Sequence, residues 1–318
     1  MINGIRVYDS HVHFMVKGTE ITNVNNTMAK KNGAETQRLV RKMSQYQTDQ
    51  WKKAWGFPPE APVPETIEES VALWLKDMDE KGVDKLCFVT AGSMENSNDN
   101  MQKIVELGKG RFVGYAYHDP FAPNAAELLE DAIVNKGLRG MKILGPQLDR
   151  PLDSKELWPL WETAERHNIP ILFHFGIMGA AGGISHHINI SPAIIHDVAK
   201  AFPRVKFIVP HFGCGQLEDT FMLCWVCPNV CIDTSGSNQW TRWMPYKITV
   251  KDLLSRYYET IGPERIIFGT DGSWFPRGFV MKYFDAQIRD CFELGFKDED
   301  VNLIFSGNIE RIWSEFRP

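Results

Sequence analysis

The chain has 318 residues, of which 43% are hydrophobic and 12% aromatic, and its formal net charge is −5 at pH 7. A chain of this length and composition can bury a substantial core, which excludes a disordered protein. The charge is mild and spread along the chain without a basic stripe, so we expect no nucleic-acid partner. Because no stretch approaches the about 18 apolar residues of a membrane-spanning helix, we expect a soluble, cytoplasmic protein with no membrane partner.

Apolar, β-branched runs alternate with amphipathic stretches along the chain. The apolar runs predict strands at 5–12, 84–90, 111–116, 138–144, 169–174, 205–210, 229–234 and 265–270. Helical spacing predicts helices at 66–81, 98–108, 123–136, 154–167, 191–201, 215–226, 250–260 and 278–293. Strands that are each followed by a helix indicate a (β/α)8 barrel, so the predicted fold class is α/β, with a single TIM-barrel domain over residues 1–318. The alternative is a doubly wound open sheet, but the Gly-rich dinucleotide turn of that fold does not follow the first strand.

The length beyond a minimal barrel lies in one segment, residues 14–65, between the first strand and the first regular helix. This segment is rich in Asn, Lys, Thr and Gln, and it has a predicted helix at 36–54 and a Pro-rich exit, FPPEAPVP. An insertion directly after a barrel strand lies over the C-terminal mouth, where such barrels place their chemistry. We therefore predict that 14–65 is a lid-like insertion that forms a wall of the site.

Histidines and an aspartate follow several of the predicted strands. His11 and His13, in YDSHVHF, are one residue apart, so their side chains share a face of a strand. His174 in ILFHFG, His211 in FIVPHFG and Asp271 in IIFGTDG each follow an apolar run. An HxH pair alone is equally typical of ordinary polar residues at a strand end. Ligand-type side chains at the same end of several strands, however, indicate a metal site at the mouth of the barrel.

The motifs PILFHFG, VPHFGCG, PNVCIDTSG, IIFGTDGSWF and SGNIERIW, together with the HxH pair, resemble the amidohydrolase superfamily. The resemblance covers nearly the whole chain and is weakest in 14–65. It indicates the amidohydrolase-2 branch, which includes aminocarboxymuconate-semialdehyde decarboxylase. It implies that one divalent metal ion is bound by His11, His13, His174 and Asp271. Three imidazoles and a carboxylate suit Zn²⁺, with Mn²⁺ or Fe²⁺ as alternatives.

The resemblance also implies which residues are catalytic. Asp271 would be both a ligand and the base that takes the proton of a metal-bound water, whose pKa the metal lowers towards about 7. His211 would be a general acid/base or polarise an oxyanion, and the alternative is a fifth metal ligand. Lys142, in LRGMKILGP, is expected to pair with a carboxylate or to contact an anionic substrate. The alternative for Lys142 is the carboxylated lysine that bridges two metals in binuclear members of the superfamily.

Aromatic and basic residues are concentrated in the loops after the seventh and eighth strands. The predicted substrate-binding residues there are Trp240, Arg242, Trp274 and Arg277. Aromatic walls with guanidinium groups suit a flat, carboxylate-bearing small molecule, because arginine binds a carboxylate through two parallel hydrogen bonds. His118, in YAYHDP after the third strand, lies at the same face and is a further candidate for the pocket wall. The alternative is that the tryptophans plug the barrel mouth or form the contact of a homodimer.

Two reactions fit the predicted site. The first is hydrolysis of a small, carboxylated cyclic or aromatic amide or lactone by a metal-bound hydroxide. The second is non-oxidative decarboxylation of an aromatic or dienoic acid. Decarboxylases of the branch tend to carry an arginine after the first strand. This chain has Arg38 and Arg41 in that segment, but neither can be aligned with the arginine of the decarboxylases. We therefore favour the hydrolase. A catalytically inactive metal-binding or regulatory barrel is a third alternative, but each of the expected metal positions is retained.

Overall fold

The structure is a computed structural model that describes residues 1–2, 4–18, 35, 38–39, 42–43, 45–46, 48–50, 52–54, 56–92, 94–176 and 186–317. The strands in these residues are Tyr8–His13 (β1), Lys85–Thr90 (β2), Phe112–Gly114 (β3), Met141–Leu144 (β4), Ile171–His174 (β5), Phe207–Val209 (β6), Val230–Asp233 (β7) and Ile266–Ile267 (β8). The α-helices are Ile67–Lys81 (α1), Ser97–Leu107 (α2), Ala125–Val134 (α3), Trp158–His167 (α4), His196–Ala201 (α5), Leu217–Val226 (α6), Ser237–Trp240 (α7), Val250–Ile261 (α8), Met281–Glu293 (α9), Asp298–Asn302 (α10) and Asn308–Ser314 (α11). The described residues between 35 and 54 are helical as well, and the remainder of the helix predicted at 36–54 lies outside the described residues.

Neighbouring strands run parallel and follow one another in chain order. One sheet contains β1, β2 and β3, and the other contains β4 to β8. Single parallel bridges join the two sheets, between Ala116 and Met141 on one side and between Val12 and Gly272 on the other. The strands therefore succeed each other in the order of a (β/α)8 barrel, which confirms the predicted fold class.

Local sequence signals explain where helices begin and end. At α1 the side chain of Thr66 accepts a hydrogen bond from the amide of Glu69, and the Glu69 side chain accepts one from the amide of Thr66, both at 3.2 Å. This capping box satisfies amides that have no partner within the helix. Gly82, with a φ of 73°, ends the helix in the left-handed conformation that glycine adopts without strain. Thr249 and Asp252 form the same capping box at the start of α8.

The eighth strand is shorter than predicted. It covers Ile266–Ile267, whereas the apolar run predicted 265–270. The amide of Phe268 donates to the carbonyl of Ile304 (2.9 Å), and the carbonyl of Phe268 accepts from the amide of Ser10 (3.1 Å). The backbone beyond Ile267 is therefore held by the start of the chain and by its C-terminal part, which is information that the local apolar run does not contain.

Along the strands, side chains on one face change from apolar to ligand-type residues towards the strand ends. Leu172 on β5 and Cys231 on β7 belong to a buried cluster that also contains Trp313 of α11. His174 and Asp233 follow on the same faces of these strands, because alternate side chains point the same way. The inward faces thus change from apolar near the strand starts to ligand-type at the strand ends, and this change positions the site.

The described ends of the predicted insertion pack on the barrel. Phe14 is buried in the main hydrophobic core. The amide of Lys17 donates to the carbonyl of Pro64 (2.8 Å), and the amide of Ala61 donates to the carbonyl of Phe275 (2.7 Å). The entry and exit of the segment are therefore side by side, and the exit contacts the loop that follows β8.

The structure also shows the state of the cysteines and the apolar character of the helices. All six cysteines are buried thiols. Within the described part of the chain, no helix combines the length and the apolar composition needed to cross a bilayer.

Candidate active site

The structure brings histidines from three strands together at one end of the barrel. The ring of His211 lies 4.9 Å from that of His11 and 4.9 Å from that of His174, measured between centroids. The rings of His11 and His13 are 5.4 Å apart. Residues at the ends of β1, β5 and β6, which are far apart in sequence, thus form one cluster.

His13 and Asp271 face each other where β1 meets the segment after β8. Nε2 of His13 lies 3.1 Å from Oδ1 of Asp271, and Nδ1 of His13 lies 2.9 Å from Oγ1 of Thr90. One potential ligand atom from each of His11, His13 and Asp271 lies within 4.8 Å of the other two. Two imidazoles and a carboxylate at this spacing are donors that Zn²⁺ and similar divalent ions bind. These residues therefore fit the divalent metal that the sequence leads us to expect.

His11 is held between a carboxylate and an amine. Its Nδ1 lies 2.9 Å from Oδ2 of Asp233, and its Nε2 lies 3.4 Å from Nζ of Lys142. Burial, assisted by the charge of Lys142, lowers the pKa of His11 to about 3, although Asp233 acts in the opposite direction. The ring is therefore neutral near pH 7, which is the form that binds a metal ion.

His174 and His211 contact each other through their rings. Nδ1 of His174 lies 3.1 Å from Nε2 of His211, and Nδ1 of His211 lies 2.6 Å from the carbonyl oxygen of Ser235. Because a carbonyl only accepts, Nδ1 of His211 carries a proton, and the hydrogen bond with His174 is made by the other ring nitrogen, Nε2. Burial, with His211 nearby, holds the pKa of His174 well below its ordinary value. Among the described residues, the groups of three ligand-type atoms within 4.8 Å do not include His174.

Asp271 has an unusual backbone conformation. Its φ is 61°, and its amide donates to the carbonyl of His11 (2.9 Å). A Cβ atom at Gly236 would lie 3.0 Å from Oδ2 of Asp271 and 3.3 Å from Nδ1 of His211, so a larger residue would crowd the site. Burial raises the pKa of Asp271, but the hydrogen bond with His13 and the proximity of His211 outweigh burial and hold the pKa well below its usual range. The carboxylate is therefore ionised, as a metal ligand or a general base must be.

The turn after β6 is strained. His211, Phe212 and Cys214 have φ values of 58°, 49° and 46°, a conformation that costs non-glycine residues of order 1 kcal/mol each. Phe212 is held in place by Tyr257, whose ring stacks on it with centroids 5.2 Å apart and whose hydroxyl donates to its carbonyl (3.3 Å). Strain of this kind clusters at functional sites, where the surrounding structure maintains it.

The predicted substrate-binding residues lie in different environments. Lys142 is fully buried beside His11, and burial lowers its pKa to about 8. His118 and Trp240 are buried as well. Arg242 is exposed. The structure thus brings Lys142 into the histidine cluster and leaves Arg242 at the surface.

Arg277 is hydrogen-bonded to the backbone of Asp271 and packs against Trp274. Nη1 of Arg277 donates to the carbonyl of Asp271 (2.9 Å). The guanidinium carbon lies 4.5 Å from the ring centre of Trp274 and 5.0 Å from that of Phe57, a residue of the insertion. The predicted site residues of this loop therefore form a contact between the insertion and the backbone of Asp271.

Sequence reasoning assigned no role to Asp233, although it lies in the motif CIDTSG. Its side chain is fully buried and contacts both Nδ1 of His11 (2.9 Å) and the amide of His211 (3.1 Å). Burial raises the pKa of Asp233, but the charge and the hydrogen bond of His11 outweigh burial and hold it below the usual range. The signal that could have identified Asp233 is the one used for Asp271, a carboxylate at the end of an apolar strand.

Comparisons with known proteins relate this geometry to a family. A sequence model described as amidohydrolase, of the amidohydrolase-2 type, matches residues 8–314. Among solved structures, the probable 2-pyrone-4,6-dicarboxylic acid hydrolase of Acinetobacter baumannii with citric acid bound is 13% identical over 98% of this chain and 100% of its own, with a TM-score of 0.62. The 5-carboxyvanillate decarboxylase of Sphingomonas paucimobilis is 17% identical over 98% and 99%, with a TM-score of 0.61. An amidohydrolase of Burkholderia multivorans with bound zinc is 12% identical over 97% and 99%, with a TM-score of 0.60.

These structural likenesses show the shared fold, and the family match extends over nearly the whole chain. They confirm the resemblance inferred from the sequence motifs. The similar structures include a probable hydrolase and a decarboxylase, so family membership leaves the reaction open. The chain belongs to the amidohydrolase-2 family and is an enzyme of the metal-dependent amidohydrolase superfamily.

Proposed function

We propose that the chain is a hydrolase of a small, carboxylated cyclic or aromatic substrate. The observation that carries this proposal is the pair formed by His13 and Asp271, whose ionised carboxylate lies 3.1 Å from Nε2 of His13. The backbone of Asp271 is fixed by the carbonyl of His11, so its carboxylate is held towards the cluster. A carboxylate in this position can help to bind an ion and can accept a proton from water.

We further propose that one divalent ion, Zn²⁺ in preference to Mn²⁺ or Fe²⁺, is held by His11, His13, His174 and Asp271. When bound, the ion supplies Lewis acidity, which acidifies a water molecule and polarises an oxygen of the substrate. The protein supplies imidazoles whose Nδ1 atoms contact other protein groups, an arrangement that directs their Nε2 atoms away from those groups. The burial of His11 and His174 supports this role because it keeps both rings unprotonated.

Asp271 and His211 carry the proton transfers in this proposal. Asp271 accepts the proton of the attacking water and returns it to the leaving group. Since Nδ1 of His211 donates to the carbonyl of Ser235, Nε2 is the atom at which this ring takes up or delivers a proton, and it does so when its hydrogen bond with Nδ1 of His174 is exchanged for one with the substrate. In its imidazolium form His211 donates from Nε2 to the oxyanion that develops on the substrate.

The second candidate function is a non-oxidative decarboxylase. The buried amine of Lys142 favours it, because a cation beside His11 can bind the carboxylate that is to be lost. The similarity in fold to 5-carboxyvanillate decarboxylase also supports it. In this reaction Asp271 or His211 protonates the carbon atom as CO₂ leaves. A catalytically inactive barrel is the third candidate, and the retention of the ligand-type residues argues against it.

Isotope incorporation distinguishes the two reactions. Zn²⁺-loaded protein is incubated with carboxylated lactones and with hydroxylated benzoates, in H₂¹⁸O and separately in D₂O. A hydrolase places ¹⁸O in the new carboxylate, whereas a decarboxylase releases CO₂ and places deuterium on the carbon that lost it. Asp271→Asn, which keeps the shape of the side chain and removes the base, is the control and should be nearly inactive. Equal turnover by this variant would contradict the proposal.

Metal analysis tests the ligand set separately. Elemental analysis of the purified protein should find about one divalent ion per chain. The double variant His11→Ala, His13→Ala should lose the ion and the activity while keeping the far-UV circular dichroism of an α/β protein. Retention of stoichiometric metal by the double variant would disprove the assignment.

A further inference from the structure

Asp233 is fully buried at the end of β7, and both of its carboxylate oxygens are hydrogen-bonded. Oδ2 lies 2.9 Å from Nδ1 of His11. Oδ1 accepts from the amide of His211 (3.1 Å) and from the amide (2.9 Å) and hydroxyl (2.5 Å) of Ser235. One carboxylate therefore connects β1, the turn after β6 and the segment after β7.

These partners determine which nitrogen of His11 carries the proton. An ionised carboxylate can only accept, so Nδ1 of His11 donates to Asp233 and the lone pair of the neutral ring is on Nε2. Oγ of Ser235 lies 3.1 Å from the same Nδ1 and gives its own proton to Asp233, so it supports the same tautomer. Nε2 is the atom of His11 that faces Lys142 inside the cluster.

Asp233 also belongs to a second group of ligand-type atoms within 4.8 Å of one another, with His11 and His211. Its Oδ2 is already engaged by the Nδ1 proton of His11, and its Oδ1 by backbone amides. The geometry of this group is therefore that of a hydrogen-bonded support and differs from the arrangement of His13 and Asp271, in which Nε2 faces a carboxylate oxygen.

We propose that Asp233 is a positioning residue of the metal centre, which fixes His11 in the tautomer that presents Nε2 and holds the turn that carries His211. The inference rests on the proposed metal centre and adds to it a residue that acts through two histidines. By holding both of them, Asp233 sets the position of a ligand relative to a proton-transfer residue.

The sharpest variant is Asp233→Asn, because the amide has nearly the same shape as the carboxylate. Its oxygen can still accept from the amides of His211 and Ser235, so its NH₂ group faces Nδ1 of His11 and donates to it. The proton of His11 then resides on Nε2, and the lone pair for the ion is lost. We expect the Kd for Zn²⁺, measured by competition with a chromophoric chelator, to rise about 10- to 100-fold. The visible spectrum of the Co²⁺-loaded variant should change as well.

The matched control is Asn229→Ala on the same polypeptide segment. Asn229 is buried, and its amide donates to three backbone carbonyls, those of Ala199, Phe202 and Val205. Its removal breaks three buried hydrogen bonds away from the imidazoles, so it disturbs the fold at least as much as Asp233→Asn does. The Tm of the metal-free protein should fall for both variants, whereas the Kd for Zn²⁺ and the Co²⁺ spectrum should change only for Asp233→Asn.

A measurement on the unmodified protein covers the case in which Asp233→Asn does not fold. Side-chain ¹⁵N–¹H correlation spectra of the metal-free protein should show the proton of His11 on Nδ1. A proton on Nε2, or a Zn²⁺ affinity that Asp233→Asn leaves unchanged, overturns the role of Asp233 while the proposed metal centre stands. If the unmodified protein itself fails to bind Zn²⁺, the proposed metal centre is disproved and the inference falls with it.

Discussion

All four histidines of the cluster contact a neighbouring protein group through Nδ1. The partners are a carboxylate for His11, a threonine hydroxyl for His13, the ring of His211 for His174, and a backbone carbonyl for His211. A ring held at Nδ1 can rotate only slightly, and it directs Nε2 away from that partner. For His11, His13 and His174 this orientation is the one that the proposed ligand set requires of rings from different strands.

The role of His211 can be separated from that of a ligand. His211→Asn should keep about one Zn²⁺ per chain at saturating metal, because the proposed ligand shell is complete without it. Loss of the proton-transfer group should lower kcat by about 10²- to 10⁴-fold. Metal analysis and steady-state kinetics of the same preparation give both quantities. Loss of metal in parallel with activity would identify His211 as a ligand instead.

His118 should make the stability of the protein depend on pH. Burial lowers its pKa to about 4, partly offset by the hydrogen bond between Nε2 and the carbonyl of Ala125 (3.0 Å). The unfolded chain has a histidine pKa of about 6.5, so below that pH it binds a proton that the folded protein does not. The free energy of unfolding should therefore fall between about pH 6.5 and about pH 4, by a contribution of about 3 kcal/mol from this residue.

Thermal unfolding of the wild type and of His118→Gln across this pH range measures the contribution. Glutamine can still donate to the carbonyl of Ala125 and does not titrate, so the difference between the two proteins isolates His118. The Tm of the variant should decline less steeply on acidification. Identical slopes would show that His118 titrates normally in the folded protein.

At the scale of elements, the contact between the insertion and the loop after β8 is the one that connects the insertion to Asp271. Phe57 packs against Trp274 with ring centroids 6.1 Å apart and lies under the guanidinium of Arg277 at 5.0 Å. Arg277 in turn donates to the carbonyl of Asp271. We propose that 14–65 serves as a lid, and this chain of contacts is the route by which its position can affect Asp271.

Phe57→Ala tests the lid. The substitution removes the aromatic contact on the insertion side and leaves Arg277 and its bond to Asp271 in place. We expect kcat/KM to fall about tenfold through misplacement of Asp271 and of the pocket wall, with unchanged affinity for Zn²⁺. Phe316→Ala, which removes a similar contact with Arg139 (4.1 Å), is the control and should leave kinetics unchanged. Equal kinetics for Phe57→Ala and the wild type would argue against the lid.

At the scale of the whole molecule, two of the proposed ligands, His13 and Asp271, lie on opposite sides of the seam between β1 and β8. β8 itself has only two residues, and beyond them the seam is joined by backbone hydrogen bonds from the amides of Ser10, His13 and Asp271. An ion bound by His13 and Asp271 together would stabilise the folded protein, because it binds the folded state and not the unfolded chain.

Removal of the metal should therefore lower the Tm. At a free Zn²⁺ concentration about 1,000 times the Kd, binding contributes about 4 kcal/mol, which corresponds to a shift of about 6 °C for a protein of this size. Calorimetry of the Zn²⁺-loaded and chelator-treated protein measures this shift. The double variant His11→Ala, His13→Ala should show no difference between the two conditions, and an equal shift in that variant would indicate binding elsewhere.

Much of the architecture and the membership of the cluster followed from local patterns in the sequence. Apolar runs that end in a histidine or aspartate identified β5 and its His174, and the same pattern applied to Asp233 would have identified that residue too. What local patterns lacked were contacts between distant parts of the chain. The length of β8 depends on Ser10 and Ile304, and the direction of Arg277 depends on the carbonyl of Asp271. Both features depend on tertiary contacts, which the periodicity of apolar residues in the sequence does not encode.

The seam also has a consequence for how the protein is made. His13 and Asp271 are separated by 258 positions. At about 5 to 20 residues per second, the ribosome completes the first histidines on the order of 10 to 50 s before it reaches the aspartate. During that time the nascent chain offers two imidazoles without the carboxylate that completes the set. We therefore expect the ion to bind after synthesis, once the protein has folded. The metal ions that are then present in the cell should determine which ion the enzyme binds.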